Sequence, residues 1–172
     1  MSVGVMRKNI DIVADLVRNF LSLTVPISVE GLCDAVNEKL PGQCSPTKDL
    51  RVDAEIKTNA GTDQFVIRYL PDKPETRILF SIAHELGHLF LHLLDDNGKI
   101  MFNEGFQRNM EKTEQELEAN EFAAAFLMPD DRFVEVCRKN LKGQKVNVTK
   151  VADAFNVSVQ AATVRGNVLG LW

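Results

Sequence analysis

The chain has 172 residues, a formal charge of −4 at neutral pH and 45% hydrophobic residues. This length suits one domain with a sizeable core, the composition excludes a disordered or fibrous protein, and the acidic balance argues against a dedicated nucleic-acid binder. We expect no signal peptide and no membrane-spanning segment. Three cysteines without C-x-x-C spacing predict neither a zinc cluster nor a disulfide framework, so we expect reduced thiols.

The N-terminal half predicts two helices followed by a β-hairpin. The first helix lies within residues 10–25, and its apolar residues recur at helical spacing, with a face expected to lie in the core: Ile12, Val13, Leu16, Val17 and Phe20. A second helix is predicted from a Ser28 N-cap to about Lys39. Two alternating segments around residues 52–56 and 65–69, with a loop at 59–63, predict an antiparallel hairpin. An extended peptide could add to its edge as a further strand, and a purely structural hairpin is an equal alternative.

The most informative motif is H-E-x-x-H, formed by His84, Glu85 and His88 in an apolar run. On a helix the two histidines lie one turn apart on the same face, so both imidazoles can bind one metal ion. Glu85 lies about 100° further around the helix and can act as a general base toward water. The alternative is a pair of hydrogen-bonded core histidines. His92 lies roughly 12 Å along the axis from His84, too far to bind the same ion, so we expect it to support the site or to have a structural role.

A third ligand is expected from elsewhere in the chain, as a carboxylate or a cysteine. A further predicted helix, which ends before Pro129, is rich in glutamate. By the same step of about 100°, Glu116 lies nearest its apolar stripe, Glu118 at the margin and Glu121 nearly opposite. A carboxylate that faces the core is costly without a counter-charge, which zinc would supply. Asn120, one turn beyond Glu116, can hydrogen-bond a ligating side chain. The alternative is a solvated, glutamate-rich face.

The C-terminal residues predict three further helices. Asp130 caps one that runs to about Asn140, and two more, at 149–155 and 159–165, are separated by a turn with Ser158 as an N-cap, which resembles a helix-turn-helix. Five basic residues precede or begin this unit: Arg138, Lys139, Lys142, Lys145 and Lys150.

The last of these helices is short and is expected to expose only Gln160, Thr163 and Arg165. We therefore favour a packed helical hairpin over direct DNA binding. We divide the chain into a metallopeptidase-like domain at residues 1–135 and a helical, HTH-like appendage packed on it at residues 136–172.

Two blocks of sequence resemble a known family. One is Ala83-His84-Glu85-Leu86-Gly87-His88 with Leu91-His92, and the other is Glu116-x-Glu118-Ala119-Asn120-x-Phe122-Ala123-Ala124 through Leu127-Met128-Pro129. They resemble the ImmA/IrrE-like zinc metallopeptidases. The resemblance implies that Glu116 is the third zinc ligand. It also implies a cytoplasmic enzyme, often encoded by mobile elements, that cleaves a repressor- or antitoxin-type transcription regulator.

The sequence thus predicts an α+β fold, mostly helical, in which a small antiparallel sheet flanks two packed helices that hold one zinc ion per chain. The predicted reaction is hydrolysis of a peptide bond in a protein partner, with Glu85 as the base. The residue that stabilises the oxyanion stays open among Tyr69, Arg77 and His92. The competing hypothesis is a non-catalytic, zinc-containing regulatory or partner-binding protein, with or without association to DNA. Intact Glu85 disfavours it, because a structural zinc helix needs no glutamate there.

Overall fold

The computed structural model describes residues 3–59, 62–95, 97–101 and 114–172, with side chains described from residue 9 onward. Its helices are α1 (Val3–Phe20), α2 (Val29–Lys39), α3 (Glu75–His92), α4 (Glu114–Leu127), α5 (Asp130–Lys139), α6 (Val148–Phe155) and α7 (Val159–Val168). Its strands are β1 (Gly42–Pro46), β2 (Ala54–Thr58), β3 (Phe65–Tyr69), β4 (Leu141–Lys142) and β5 (Lys145–Val146). The predicted α+β fold is confirmed. Among the described residues no helix combines the length and apolarity needed to traverse a bilayer.

The centre of the fold is the packing of α4 against α3 on one side and α1 on the other. Small residues make this packing close, since Ala83 of α3 and Ala119 and Ala123 of α4 are fully buried. Leu79, Ile82 and Leu86 fill the remaining space on α3, and Phe122 and Phe126 stack along α4 with ring centroids 5.8 Å apart. Helices α3 and α4 therefore pack closely along their small and apolar residues.

The main sheet is mixed, with strand order β1-β3-β2. Strands β2 and β3 pair antiparallel from Ala54↔Tyr69 to Thr58↔Phe65, which confirms the predicted hairpin; residues 60 and 61 of its loop lie outside the described residues. Strand β1, which we did not predict, pairs parallel to β3 from Gly42↔Phe65 to Pro46↔Tyr69. Gly-Gln-Cys-Ser-Pro contains no β-branched or aromatic residue, so tertiary pairing overrides a weak local preference.

The buried face of α1 differs from the prediction. Ile12, Leu16 and Phe20 are exposed, and the core side is formed instead by Ile10, Ala14, Val17 and Leu21. Both sets recur at helical spacing, so periodicity alone does not choose between them. The choice follows from α4, since buried Arg18 donates to the carbonyl oxygens of Ala125 (3.3 Å) and Phe126 (3.1 Å) at its C-terminal end. That contact turns the face carrying Ala14 toward α4.

The cysteine prediction is also corrected. Cys33 of α2 and Cys44 of β1 form a disulfide with Cα atoms 5.0 Å apart, whereas Cys137 is free and buried. The two residues meet because α2 packs on β1, where the Asn37 Oδ1 atom accepts a hydrogen bond from the Cys44 amide (2.7 Å). A separation of eleven residues in the sequence does not reveal this contact.

The C-terminal helices follow the predicted order, with three differences. The N-cap of α5 is Pro129 and not Asp130, which is the first residue of the helix. Ser158 caps α7 as predicted, by accepting from the Ala161 amide (3.1 Å), but a short β4-β5 hairpin that we did not predict lies between α5 and α6. Arg165, predicted to be exposed, is 1% exposed. Side chains of α5, α6 and α7 share one apolar cluster with those of α1 to α4. The division at residue 135 stays a prediction.

Candidate metal centre

The two histidines of the motif face each other on α3. The Nε2 atoms of His84 and His88 are 3.0 Å apart, and their rings meet edge to face with centroids 4.6 Å apart. One helical turn separates the residues, so the helix itself brings the two imidazoles together. His88 is 4% exposed and His84 is half-buried, which places the pair at the margin of the core rather than in open solvent.

Helix α4 brings a carboxylate to the same point. The Glu116 oxygens lie 3.3 Å from His84 Nε2 and 3.2 Å from His88 Nε2. Glu116 is half-buried in the first turn of α4. Its approach depends on the close contact of the helices one turn later, where Gly87 of α3 faces Ala119 of α4. A larger residue at either position would separate the helices and withdraw the carboxylate.

This triangle of donor atoms fits a metal ion. Donor atoms of His84, His88 and Glu116, one from each residue, all lie within 4.8 Å of one another. The two Nε2 atoms are 3.0 Å apart, and the contacts of 3.2 and 3.3 Å reach different oxygens of the Glu116 carboxylate. A tetrahedral Zn²⁺ with ligands about 2.0–2.1 Å away keeps those ligand atoms roughly 3.3 Å apart. Two imidazoles and one carboxylate also form a donor set typical of catalytic zinc, which leaves the fourth position open. His84, His88 and Glu116 therefore form a candidate metal site.

Asn120 determines which ring nitrogen of His84 is available to bind a metal ion. Its Oδ1 atom lies 3.1 Å from His84 Nδ1. An amide oxygen only accepts hydrogen bonds, so Nδ1 carries the proton and Nε2, which faces Glu116, keeps its lone pair. Asn120, one turn beyond Glu116, thus places its side chain on a candidate ligand.

His92 lies outside the triangle, one turn beyond His88. Its Nε2 atom is 2.9 Å from Glu118 Oε2, and its ring centroid is 5.4 Å from that of His88. Burial lowers the pKa of His92, and burial raises the pKa of Glu118. Both shifts disfavour the charged forms and so weaken an ion pair between the two residues. The pair ties the end of α3 to the start of α4 beside the site.

Glu85 lies on the cleft that opens onto the candidate ligands. The residue is 4% exposed. The cleft measures about 240 Å³, and its lining combines the site with the start of β2: Asp53, Ala54, Phe80, Ser81, His84, Glu85, Glu116 and Asn120. A carboxylate held inside such a cleft can exchange a proton with a bound molecule without rearranging the backbone.

The three candidates for oxyanion stabilisation lie in different places. Arg77 lines a second cleft next to the site, where its guanidinium contacts Asp53 (2.6 Å). His92 bonds Glu118, and Tyr69 is paired within the sheet; neither lines these two clefts. Burial raises the pKa of the Tyr69 hydroxyl, which keeps it protonated. The choice among the three stays open.

The position of Glu121 differs from the prediction. We expected it to face away from the structure, but its carboxylate lies 3.1 Å from Arg165 of α7. The same guanidinium contacts Asp130 (2.5 Å) and Asp11 (3.1 Å). The sequence patterns therefore did not identify Arg165 as a buried residue with three acidic partners. No local pattern reveals it, because its partners lie 35, 44 and 154 residues away.

This arrangement, an H-E-x-x-H helix whose imidazoles meet a carboxylate from a second helix, is of the metallopeptidase type. The chain belongs to the family described as IrrE N-terminal-like domain, Peptidase M78, whose profile matches residues 44–167. The predicted resemblance to the ImmA/IrrE family is confirmed.

A solved structure described as a Mycobacterium tuberculosis transcriptional regulator shares the fold. It has a TM-score of 0.66 and 16% sequence identity, over 92% of this chain and 46% of that chain. The present chain thus spans about half the length of that protein. No curated protein matches the sequence.

Proposed function

We propose that this protein is a zinc-dependent endopeptidase in which His84, His88 and Glu116 hold one zinc ion and Glu85 is the general base. The observation that carries this proposal is the cluster of donor atoms. The two imidazole Nε2 atoms are 3.0 Å apart, and each lies 3.2–3.3 Å from an oxygen of the Glu116 carboxylate, which is close to the spacing of ligands around tetrahedral zinc. A structural zinc site has four protein ligands. This cluster has three within the described residues, and it opens onto a cleft that also contains Glu85.

Each residue has a defined task in the proposed reaction. Zinc held here would polarise the scissile carbonyl and lower the pKa of water toward neutrality. Glu85 would take a proton from the water that attacks the carbonyl carbon and pass it to the amine that leaves as the C–N bond breaks. Asn120 holds the His84 ring in the tautomer that leaves Nε2 unprotonated. The Glu118–His92 pair fixes the ends of α3 and α4 beside the ligands.

We propose that the substrate is a protein, of the repressor or antitoxin type that the family resemblance implies, and that the reaction takes place in the cytoplasm. The addition of an extended peptide along the edge of the sheet stays a prediction. Its support is the position of β2, an edge strand whose first residue, Ala54, lines the cleft.

A second candidate function is a regulator that binds a partner through the same site without cleaving it. The transcriptional regulator that shares the fold is the observation that favours it. The two functions differ in what Glu85 must do, because binding requires no proton transfer.

The test combines metal analysis with a cleavage assay. Purified wild-type protein, kept free of chelator, should contain about one zinc per chain, and His84→Ala or His88→Ala should remove it. A proteome-derived peptide library incubated with the zinc-loaded protein should be cleaved, with new termini identified by mass spectrometry. Glu85→Gln should retain zinc and lose cleavage by several orders of magnitude. Glu114→Gln, an exposed glutamate of α4, is the control that should change neither.

Three results would contradict the proposal in different ways. Wild-type protein without zinc would remove the metal site. Zinc-loaded protein that cleaves equally well with Glu85→Gln would remove Glu85 as the base, and zinc-loaded protein with no cleavage would favour the binding function.

A further inference from the structure

The second cleft, which Arg77 lines, is a larger groove that continues from the candidate metal centre. It measures about 880 Å³ and lies between the N-terminal half of α3, the middle of α4 and the length of α7. Four residues line both this groove and the smaller cleft at the site: Asp53, Phe80, Ser81 and Asn120. Asn120 contacts His84, so the groove begins directly beside a candidate ligand.

The walls of the groove carry exposed apolar side chains. Leu117 of α4 is 56% exposed, and Val164 and Val168 of α7 are 53% and 37% exposed. Pro74, Phe80, Ala124 and Ala161 complete the apolar lining. Apolar side chains of this size that share one concave surface, next to a few polar groups, are typical of a ligand-binding cleft.

The charges of the groove cancel. Its charged lining residues are two arginines and two acids, and each arginine contacts an acid: Arg77 lies 2.6 Å from Asp53, and Arg165 lies 3.1 Å from Glu121. A charged side chain that entered the groove would lose water without gaining an opposite charge. An uncharged, apolar group has no charge hydration to lose, and it gains contact with Leu117, Val164 and Val168.

The wall formed by α7 is fixed in place. Arg165, 1% exposed, donates to the Met128 carbonyl oxygen (3.3 Å) and to carboxylates on three other helices, Asp11, Glu121 and Asp130. These contacts hold α7 against α1, α4 and the start of α5. A groove with rigid walls favours its ligand because little conformational entropy is lost when it binds.

We infer that this groove is a substrate subsite that accepts a large apolar side chain of the peptide close to the scissile bond, and that Val164 is a specificity-determining residue. The inference rests on the proposed function, since it identifies the substrate chemistry of that same site. The occupant is a segment of the peptide substrate, because the groove is continuous with the candidate metal centre and carries no unpaired charge.

The probes are hydroxamates, which chelate zinc and require neither a known substrate nor turnover. Zinc-loaded wild-type protein is titrated calorimetrically with acetohydroxamate, N-acetyl-leucyl-leucine hydroxamate and N-acetyl-aspartyl-aspartate hydroxamate. All three should bind, and the leucyl form should bind roughly 10- to 100-fold more tightly than the aspartyl form, as burial of one or two leucine side chains requires.

Variants on α7 locate the selectivity. Val164→Asp should reduce the preference for leucine to about threefold or less, and Val164→Ser should give an intermediate value, while acetohydroxamate binding stays unchanged. Val159→Asp is the matched control. Val159 is a valine of the same helix, is 46% exposed and does not line the groove, so it should retain the full preference.

The outcomes separate this inference from the proposed function. If acetohydroxamate fails to bind, the metal site is absent and the inference falls with it. If acetohydroxamate binds but the leucyl and aspartyl forms bind equally, or if Val159→Asp reduces the preference as much as Val164→Asp, the metal site stands and the groove is not the subsite. A groove that is filled by another part of the protein or by a second copy would give this second result.

Discussion

Gly87 of α3 meets Ala119 of α4 at backbone contact. A methyl group built on Gly87 would lie 3.0 Å from both the Cα atom and the carbonyl oxygen of Ala119, and 3.2 Å from the Phe122 Cβ atom. The atoms in the way are mainly backbone, which cannot rotate aside as a flexible side chain can. The glycine of the H-E-x-G-H sequence therefore sets the distance between the two helices that carry the candidate ligands.

Gly87→Ala should force α3 and α4 apart. We expect a loss of about 1–3 kcal/mol in the free energy of unfolding, as in other overpacked cores, together with weaker zinc binding because Glu116 moves with α4. Chemical denaturation and a zinc titration against a competing chelator measure the two effects.

Gly31→Ala in α2 is the matched control. There a methyl group would meet only the Ser28 hydroxyl, at 3.1 Å. Alanine also favours a helix over glycine by up to about 1 kcal/mol, so this variant should be close to neutral. Equal effects of the two substitutions would show that the α3–α4 contact has no special role.

Alanine substitutions of three glutamates of α4 should have three different effects on zinc binding and stability. Glu116→Ala should weaken zinc binding by orders of magnitude, because it removes a proposed ligand. Glu118→Ala should have a smaller effect, through loss of its contact with His92. Glu121→Ala should leave zinc affinity nearly unchanged but destabilise the fold, because buried Arg165 loses a partner.

Chelator competition and thermal unfolding on the same four proteins rank these effects, with exposed Glu114→Ala as the control. Strong loss of zinc from Glu118→Ala or Glu121→Ala, with Glu116→Ala unaffected, would mean that another carboxylate is the ligand.

Asn120→Ala should reduce zinc affinity or turnover roughly 10- to 100-fold, the usual effect of removing a group that orients a ligating histidine. Asn120→Asp keeps an oxygen that accepts from His84 Nδ1 and should recover much of the loss. If aspartate behaves like alanine, the contact of 3.1 Å does not orient the ring.

Removal of the metal should lower the melting temperature. At a zinc concentration one hundred times the dissociation constant, binding stabilises the folded state by about 2.7 kcal/mol. In a protein of this length that corresponds to roughly 5–11 °C. Calorimetric melting with zinc and with excess chelator measures the difference, and His84→Ala should abolish it. A shift of the same size in that variant would indicate zinc bound elsewhere.

Arg165→Met should destabilise the protein by about 3–5 kcal/mol, because it removes the counter-charge from three carboxylates and leaves a buried network incomplete. Arg132→Met is the control. Its pair with Glu135 is half exposed on each side and should contribute less than about 1 kcal/mol. Denaturant titration compares the two, and similar losses would show that the Arg165 network contributes no more than a surface pair.

Local patterns were sufficient to predict most of the helices and the β2–β3 hairpin. Ser28 and Ser158 marked helix starts where their hydroxyls accept the expected amides. The spacing of His84 and His88 predicted the meeting of the imidazoles, since one helical turn brings them together whatever the rest of the fold does. For Glu116 the helical angle gave a preference, and the family resemblance gave the assignment.

The sequence could not reveal features that depend on distant parts of the chain. Strand β1 has no strand-forming composition and exists through its pairing with β3. The predicted buried side of α1 was wrong because the helix carries two competing apolar stripes. The contact of Arg18 with α4 decides between them. Arg165 looked like a solvent-exposed residue of a short helix, because a buried arginine is recognised only through partners that the fold assembles.

The contact between Asp11 and Arg165 has a kinetic consequence, since 154 residues separate the two. Contacts between distant segments form late because the chain must first close a long loop. His84, His88 and Glu116 span a much shorter stretch, and α7 is synthesised after every other helix described here. A nascent chain can therefore bring its candidate metal ligands together before the last wall of the groove exists. Under the proposed function, metal loading and peptide capture would then be separated in time during biosynthesis.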